Sequence, residues 1–158
     1  MGSKYPRNIL FNREMLFTAL AACRAGVDAW SCHDLHRGDV IVWPTSLGWM
    51  MGPWLVYSAL LNSCTIGLFL GAPGTRAYGE FVESSRVTVL GTVPSMVKAW
   101  RDSDCMRGLD WSSLRCMSSS GEVCVQDVVS SQLLPQFNHF NQTRLVHFRT
   151  HNIIIFIA

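Results

Sequence analysis

Between Asp39 and Arg76 the chain carries no charged side chain at all. A charge-free run of this length either crosses a membrane, which takes about 20 apolar residues, or folds into elements buried within a protein. Its contents favour burial. Asn62, Ser63 and Thr65 would fall at mid-bilayer, and Gly48, Gly52 and Pro53 would interrupt the span just before them. The run divides more naturally into a short apolar strand at Val40–Trp43, a loop, a helix entered through Pro53 and continuing to Asn62, and a second strand at Thr65–Leu70. Proline is tolerated in a first helical turn, where its missing N–H has no partner to lose.

The loop between the first strand and that helix is unusual. Trp43–Trp54 reads WPTSLGWMMGPW, with three tryptophans, two methionines and four backbone breakers. Glycine and proline weaken a helix interior, and a solvent loop has no use for so many large apolar groups. The combination predicts a tight loop held inside a larger structure, its bulky side chains forming a pocket wall.

Composition sets the scale. At 158 residues the chain is long enough for one domain with a real core. Only 15% is charged and 49% is hydrophobic, against about 25% charged residues in an ordinary soluble domain. Such a surface implies packing against a membrane, a partner or further protein. The net charge of +2, without a basic cluster, predicts no nucleic-acid partner. No long apolar segment marks the N-terminus as a secretory signal, so an intracellular, reducing compartment is expected, with the six cysteines as small buried groups. The Asn141-Gln142-Thr143 sequon is then idle.

Along the rest of the chain, Asn12 can cap a helix over residues 13–30, with Met15, Leu16, Ala19, Leu20, Cys23 and Val27 on one face. Gly71–Gly74 is a turn, and Phe81 and Val82 fall in a short helix. Val87–Leu90 is a third strand, ended by Gly91-Thr92-Val93-Pro94, and Ser95 caps a helix reaching Trp100. Leu114–Met117 is a fourth apolar segment, and Ser118–Glu122 a flexible polar loop. Alternating strands and helices, the strands apolar on both faces, predict α/β architecture with a parallel sheet flanked by helices. Ligands gather at the carboxyl ends of such strands, where both WPTSLGWMMGPW and SSSGE fall. From Val123 onward the rhythm breaks, and the tail ends in the uncharged β-branched run Ile153–Ile157, aggregation-prone if exposed.

Isolated motifs supply no chemistry. His33 and His36, near Cys32 and Asp34, lack a second cluster that could complete a metal site. Ser118–Gly121 is not a G-x-S-x-G nucleophile elbow. No G-x-x-x-x-G-K-[ST] phosphate loop occurs, and the lysines are only Lys4 and Lys98. No catalytic residue and no metal ligand is assigned.

Three blocks taken in order do carry a signal. GDVIVWPTSLGWMMGPWLVYSALLNSCTIGLFLGAP, RVTVLGTVPSMVKAW and LDWSSLRCMSSSGE together resemble the AMP-forming acyl-CoA synthetases, within the acetyl-CoA-synthetase-like branch that includes plant acyl-activating enzymes. The resemblance covers residues 24–122, leaving 1–23 and 123–158 as divergent ends. It implies part of the large N-terminal domain of an adenylate-forming enzyme, which joins a small carboxylic acid to CoA through an acyl-adenylate, using ATP and magnesium. Gly48, Trp49, Met50, Met51 and Gly52 are similar to the loop lining the acyl pocket, where bulky groups would favour a short acyl chain. Ser120, Gly121 and Glu122 are similar to the loop over adenine of ATP/AMP. Val123 departs from the family's proline.

Other departures matter more. FNREMLFTALAA is unlike the family's Ser/Thr/Gly-rich phosphate loop, and neither the downstream threonine–glutamate motif nor the small domain with its catalytic lysine follows Glu122. The expectation is an inactive piece of an acyl-activating enzyme, placed by resemblance in the peroxisome or cytoplasm, although Phe156-Ile157-Ala158 is not an S-K-L address. The alternatives are a non-catalytic ligand-binding or interaction module, or a small membrane-associated protein.

Overall fold

The computed structural model describes residues 19–120, together with the backbone of 144–148 and 153–157. A helix α1 (Ala19–His33) leads to strand β1 (Val40–Val42), helix α2 (Met51–Leu61) and strand β2 (Thr65–Ile66). Helix α3 (Arg76–Ser84), strand β3 (Val89–Thr92), helix α4 (Pro94–Ser103) and strand β4 (Cys116–Ser119) follow. Strands β5 (Arg144–Phe148) and β6 (Ile153–Ile157) complete one sheet in the order β2-β1-β3-β4-β6-β5.

The first four strands are parallel, as the alternation of elements predicts. Val40 and Ile41 pair with Thr65 and Ile66, Ile41 and Val42 with Val89 and Leu90, and Val89–Thr92 with Cys116–Ser119. The C-terminal run Ile153–Ile157 lies antiparallel to both β4 and β5. Strands β1, β3 and β4 are packed on both faces. Val42, Leu90 and Met117 face α3 and α4 through Tyr78, Val82, Val97 and Trp100. Ile41, Trp43, Val89 and Cys116 face α1 and α2 through Ala29, Leu55 and Ala59. Chain order reverses at β1, since β2 lies on one side of it and β3 on the other. That reversal opens a crevice between the carboxyl ends of β1 and β3.

Several boundaries differ from the sequence-based expectation. The helix at Phe81 and Val82 extends over Arg76–Ser84. The strand expected over Thr65–Leu70 pairs only through Ile66, with one further bond from the Gly67 N–H to the Ile41 carbonyl. Among the described residues no strand pairs with it beyond that point, and Leu68 and Leu70 stand exposed. The cap of α4 is Val93 with Pro94 at the first helical position, rather than Ser95.

The correction to α1 concerns its face. Leu20, Cys23 and Val27 are exposed, and the buried side is Ala25, Gly26, Ala29 and His33. Small residues let α1 and α2 approach so closely that a Cβ on Gly26 would lie 2.8 Å from Leu61 Cδ1. The Ser58 hydroxyl donates to the Ala25 carbonyl at 3.1 Å and the Asn62 amide to the Gly26 carbonyl at 3.0 Å. Asn12 and the first turns of the expected helix lie outside the described residues.

Candidate functional site at the carboxyl edge of the sheet

β1 delivers Trp43 into the crevice at the chain reversal. Its indole lies over β3 at Gly91, where a Cβ would sit 1.9 Å from the ring. Only glycine fits there. Trp54 meets Trp43 edge-on at 5.4 Å between ring centroids, and His33 contacts Trp54 at 4.9 Å and Trp43 at 6.2 Å. Burial pushes the His33 imidazole down to about 4, and its Nδ1 has no hydrogen-bond partner. Trp43 and Trp54 thus hold the two ends of the intervening loop together.

Within the loop, the Trp49 N–H donates to the Ser46 carbonyl and the Gly52 N–H to the Trp49 carbonyl, both at 3.0 Å. These two turns fold the backbone back on Gly52, where a Cβ would stand 2.4 Å from the Ser46 carbonyl oxygen. Gly52 is buried and Met51 half-buried against the Trp43–Trp54 cluster. Trp49 and Met50 are each 74% exposed, and Gly48 is open with no close approach at its Cβ position. The five residues assigned to the acyl pocket are therefore split. Met51 and Gly52 pack inward, while Gly48, Trp49 and Met50 face outward. Turns account for Gly52, and nothing among the described residues covers Trp49 or Met50.

β4 brings the serine triplet to the same edge. Ser118 and Ser119 are strand residues paired with Gly91 and Thr92, not a flexible loop. Both side chains are buried and neither hydroxyl has a hydrogen-bond partner. Ser120 is buried too, and its N–H donates to the Thr92 carbonyl at 3.2 Å. Gly121 and Glu122 lie outside the described residues. The loop after β1 and Ser120 after β4 therefore flank β3 on one edge of the sheet.

The opposite edge holds residues that sequence reasoning missed. Asp39, Thr88 and Arg115 each precede a strand, and all three meet. Thr88 Oγ1 donates to Asp39 Oδ1 at 2.8 Å, the His36 N–H donates to Asp39 Oδ2 at 2.6 Å, and Arg115 Nε donates to Asp39 Oδ1 at 3.2 Å. Arg115 also binds the carboxylate of Asp34 through Nη1 at 2.9 Å, and through Nη2 the Asp34 carbonyl and Asp39 Oδ2. Burial alone would raise the Asp39 carboxyl. The hydrogen bonds from Arg115, His36 and Thr88 outweigh it and hold the group below the ordinary carboxylate range. In the sequence Asp39 stands just before an apolar run, while Thr88 and Arg115 interrupt the runs Val87–Leu90 and Leu114–Met117, and no local pattern joins the three.

Cys105 and Cys116 are buried, burial pushing the Cys116 thiol up to about 12. Cys23 is exposed, and Cys32 and Cys64 are partly so, correcting the picture of uniformly buried cysteines; Cys124 lies outside the described residues. Among the described residues no three His, Cys, Asp or Glu side chains gather to hold a metal ion, and no helix is long and apolar enough to cross a membrane.

A parallel four-strand sheet with a reversal of chain order, flanked by helices, defines an α/β protein, and comparison with known proteins gives the family. Residues 11–146 match the model for AMP-binding enzymes, and the chain belongs to that family. It is 48% identical over 122 residues to a hexanoyl-CoA synthase of Cannabis sativa and 45% identical over 123 residues to acyl-activating enzyme 17 of Arabidopsis thaliana. In both comparisons 73% of this chain is covered but 17% of the relative. Among solved structures, an acetoacetyl-CoA synthetase from Streptomyces lividans superposes with a TM-score of 0.63 at 33% identity, over 73% of this chain and 19% of that one. The amide bond synthetase McbA from Marinactinospora thermotolerans shares the fold at a TM-score of 0.64 and 20% identity, over 74% of this chain and 23% of that one.

Proposed function

We propose that residues 24–122 serve as the pocket-bearing part of an adenylate-forming acyl-CoA synthetase domain. In such a domain a carboxylate attacks ATP to give an acyl-adenylate, and the thiol of CoA then takes the acyl group. In this reading Gly48–Gly52 forms one wall of the acyl site, with Met51 as its inward-facing member, and Ser120, Gly121 and Glu122 border adenine. The observation that carries it is the placement of the loop after β1 and of Ser120 after β4 on the same carboxyl edge, either side of β3. The buried hydroxyls of Ser118 and Ser119, lacking partners at that edge, suit a neighbouring polar ligand. The name of the Cannabis relative supports an acid of short to medium chain, and that of the Arabidopsis relative supports a peroxisomal setting, with the cytoplasm as the other intracellular option.

The chain alone is proposed to be inactive. Stabilising the charge that moves in adenylation requires positioned cations and phosphate-binding groups. A phosphate loop, a magnesium-binding glutamate motif and a catalytic lysine are not recognisable in its sequence. Exposed Leu20, Trp30, Trp49, Met50 and Leu68 also suit a surface covered by further protein.

The experiment has two arms. The purified chain, given ATP, magnesium, CoA and short carboxylic acids, should release no pyrophosphate above background; robust turnover that survives repurification overturns the inactive reading. In the second arm Gly48–Gly52 is grafted into an active relative and Met51→Gly is introduced there. Each methylene newly accommodated adds about 0.8 kcal/mol, so preference should move to longer acids. An unchanged substrate profile in a well-folded graft removes the pocket assignment.

A further inference from the structure

Strand β2 ends the parallel sheet, with β1 on one side and, among the described residues, no strand on the other. The Thr65 N–H donates to the Asp39 carbonyl at 2.8 Å and the Gly67 N–H to the Ile41 carbonyl at 2.9 Å. Backbone groups alternate in direction along a strand, so those of Ile66 and Leu68 point away from β1 to the open side. The extended course continues past Ile66. A Cβ on Gly67 would lie 3.2 Å from Phe81 Cζ, and the Phe69 ring meets that of Phe81 at 5.3 Å, so both positions face α3. Ile66 packs instead against the cluster under α1 and α2. By the same alternation Leu68 and Leu70 lie on its face, where Leu68 is 81% exposed and Leu70 fully so.

This edge lacks the usual protection. Edge strands are commonly blunted by charged side chains or proline, and residues 64–70, CTIGLFL, contain neither. A row of free N–H and C=O groups is best satisfied by another extended strand, with main-chain hydrogen bonds supplying the affinity. A second copy offers a strand with the same properties. A twofold axis normal to the sheet makes two such strands antiparallel and keeps their α2 faces on one side. With the axis at Leu68, this residue stands opposite its own counterpart, and Ile66 stands opposite the counterpart of Leu70. The exposed leucines of the two copies then cover one another. Because the run between Asp39 and Arg76 is uncharged, no like charges within it oppose the approach.

We propose that the open edge of β2 pairs with β2 of a second copy of this chain, antiparallel and centred on Leu68, so that two sheets become one. The contact uses none of Gly48–Gly52 or Ser118–Ser120 and does not depend on the acyl-site reading.

The test follows the full chain by sedimentation over a hundredfold range of concentration, with amide hydrogen exchange read at Ile66 and Leu68. The mass should rise from 17.7 kDa toward twice that value, and both amides should slow as the dimer fills. Leu68 belongs to neither core cluster, so its replacement leaves the fold intact. Leu68→Lys sets like charges face to face and should weaken the dimer about tenfold or more, and Leu68→Glu should do the same. An equimolar mixture of these two variants should regain the dimer, because lysine then meets glutamate. A folded chain that stays at 17.7 kDa throughout overturns the pairing. A dimer indifferent to Leu68→Lys overturns it too and moves the contact to another surface, such as the exposed side of α1. Slow exchange at Ile66 and Leu68 in a monomer overturns the second copy as occupant and gives the edge to another strand of the same chain. Failure of the mixture to associate overturns the register centred on Leu68.

Discussion

The two edges of the parallel sheet are built on opposite principles. At the amino edge, Asp39, Thr88 and Arg115 each stand immediately before a strand, and their polar groups meet one another and Asp34. At the carboxyl edge, Ser118 and Ser119 are buried with unpartnered hydroxyls, Trp43 rests on bare backbone at Gly91, and Trp49 and Met50 face outward. A satisfied polar network fixes register and rigidifies, whereas unpaired buried groups cost stability and recur where a ligand is to be met. The edge that holds the strands together is thus distinct from the edge proposed for binding. The strand order, which reverses at β1, puts the crevice on the second.

The contrast is broken most sharply at the amino edge. Arg115→Ala would leave the buried carboxylate of Asp39 without its cation, and breaking a buried pair from one side destabilises by about 4 kcal/mol. Denaturant unfolding should show that loss, and the double variant Asp39→Asn with Arg115→Met should recover much of it by removing the stranded charge. Equal loss in both would mean that packing of the Arg115 stem, not the ion pair, sets the effect.

Acid separates the edges along another axis. The His33 imidazole, held between Trp43 and Trp54, is pushed by burial from 6.5 down to about 4. Between these values the unfolded chain takes up a proton that the folded chain excludes, so stability is complete above about pH 6.5 and falls as pH drops toward 4. The expected loss is roughly 3 kcal/mol. Asp39 acts lower. Its carboxyl is depressed, so its contribution holds above the unfolded carboxylate value and is lost only as pH falls through the lowered one. His33→Phe, which preserves an aromatic ring beside the tryptophans, should flatten the upper part of the stability curve and leave the acid limb. A slope between pH 6.5 and 4 that persists in this variant would place the titrating group elsewhere.

Much of this was legible locally. Val40–Val42 and Val89–Leu90 announce strands because both of their faces are apolar, and the carboxyl-edge position of the loop after Trp43 follows from the alternation of elements. What escaped depends on contacts distant in sequence. Arg115 lies 76 residues from Asp39, and no local pattern joins them. Gly91 looked like a strand terminator, yet it lies within β3 because Trp43 occupies the space its side chain would need. The serines of β4 looked like a loop because they lack apolar pattern; pairing with Gly91 and Thr92 makes them strand. Leu20 and Val27 formed a convincing helical stripe, but the small side of α1 won because it lets α2 approach. The residues proposed for the acyl pocket are grouped only by resemblance, while the inward turn of Met51 and the outward turn of Trp49 required the fold.

The smallest expected effect is also the most discriminating. If the carboxyl edge is left unsatisfied within the chain itself, Ser118→Ala removes a buried hydroxyl that makes no hydrogen bond there. Deleting such a group relieves an uncompensated desolvation of about 1–3 kcal/mol, offset by the small cavity that the lost oxygen leaves. The net change in unfolding free energy should lie between zero and about 1 kcal/mol of stabilisation. Thr88→Val at the amino edge is the matched control. It replaces a hydroxyl that donates to Asp39 and accepts from the Val40 N–H at 3.0 Å with a methyl of similar shape, and should be destabilising. Both are read from the denaturation midpoint at constant slope, so that a changed unfolded state is not mistaken for a changed fold. Opposite signs at the two edges sustain the distinction. A loss at Ser118 as large as that at Thr88 would mean that its hydroxyl already has a partner, and that the carboxyl edge is as closed as the amino edge.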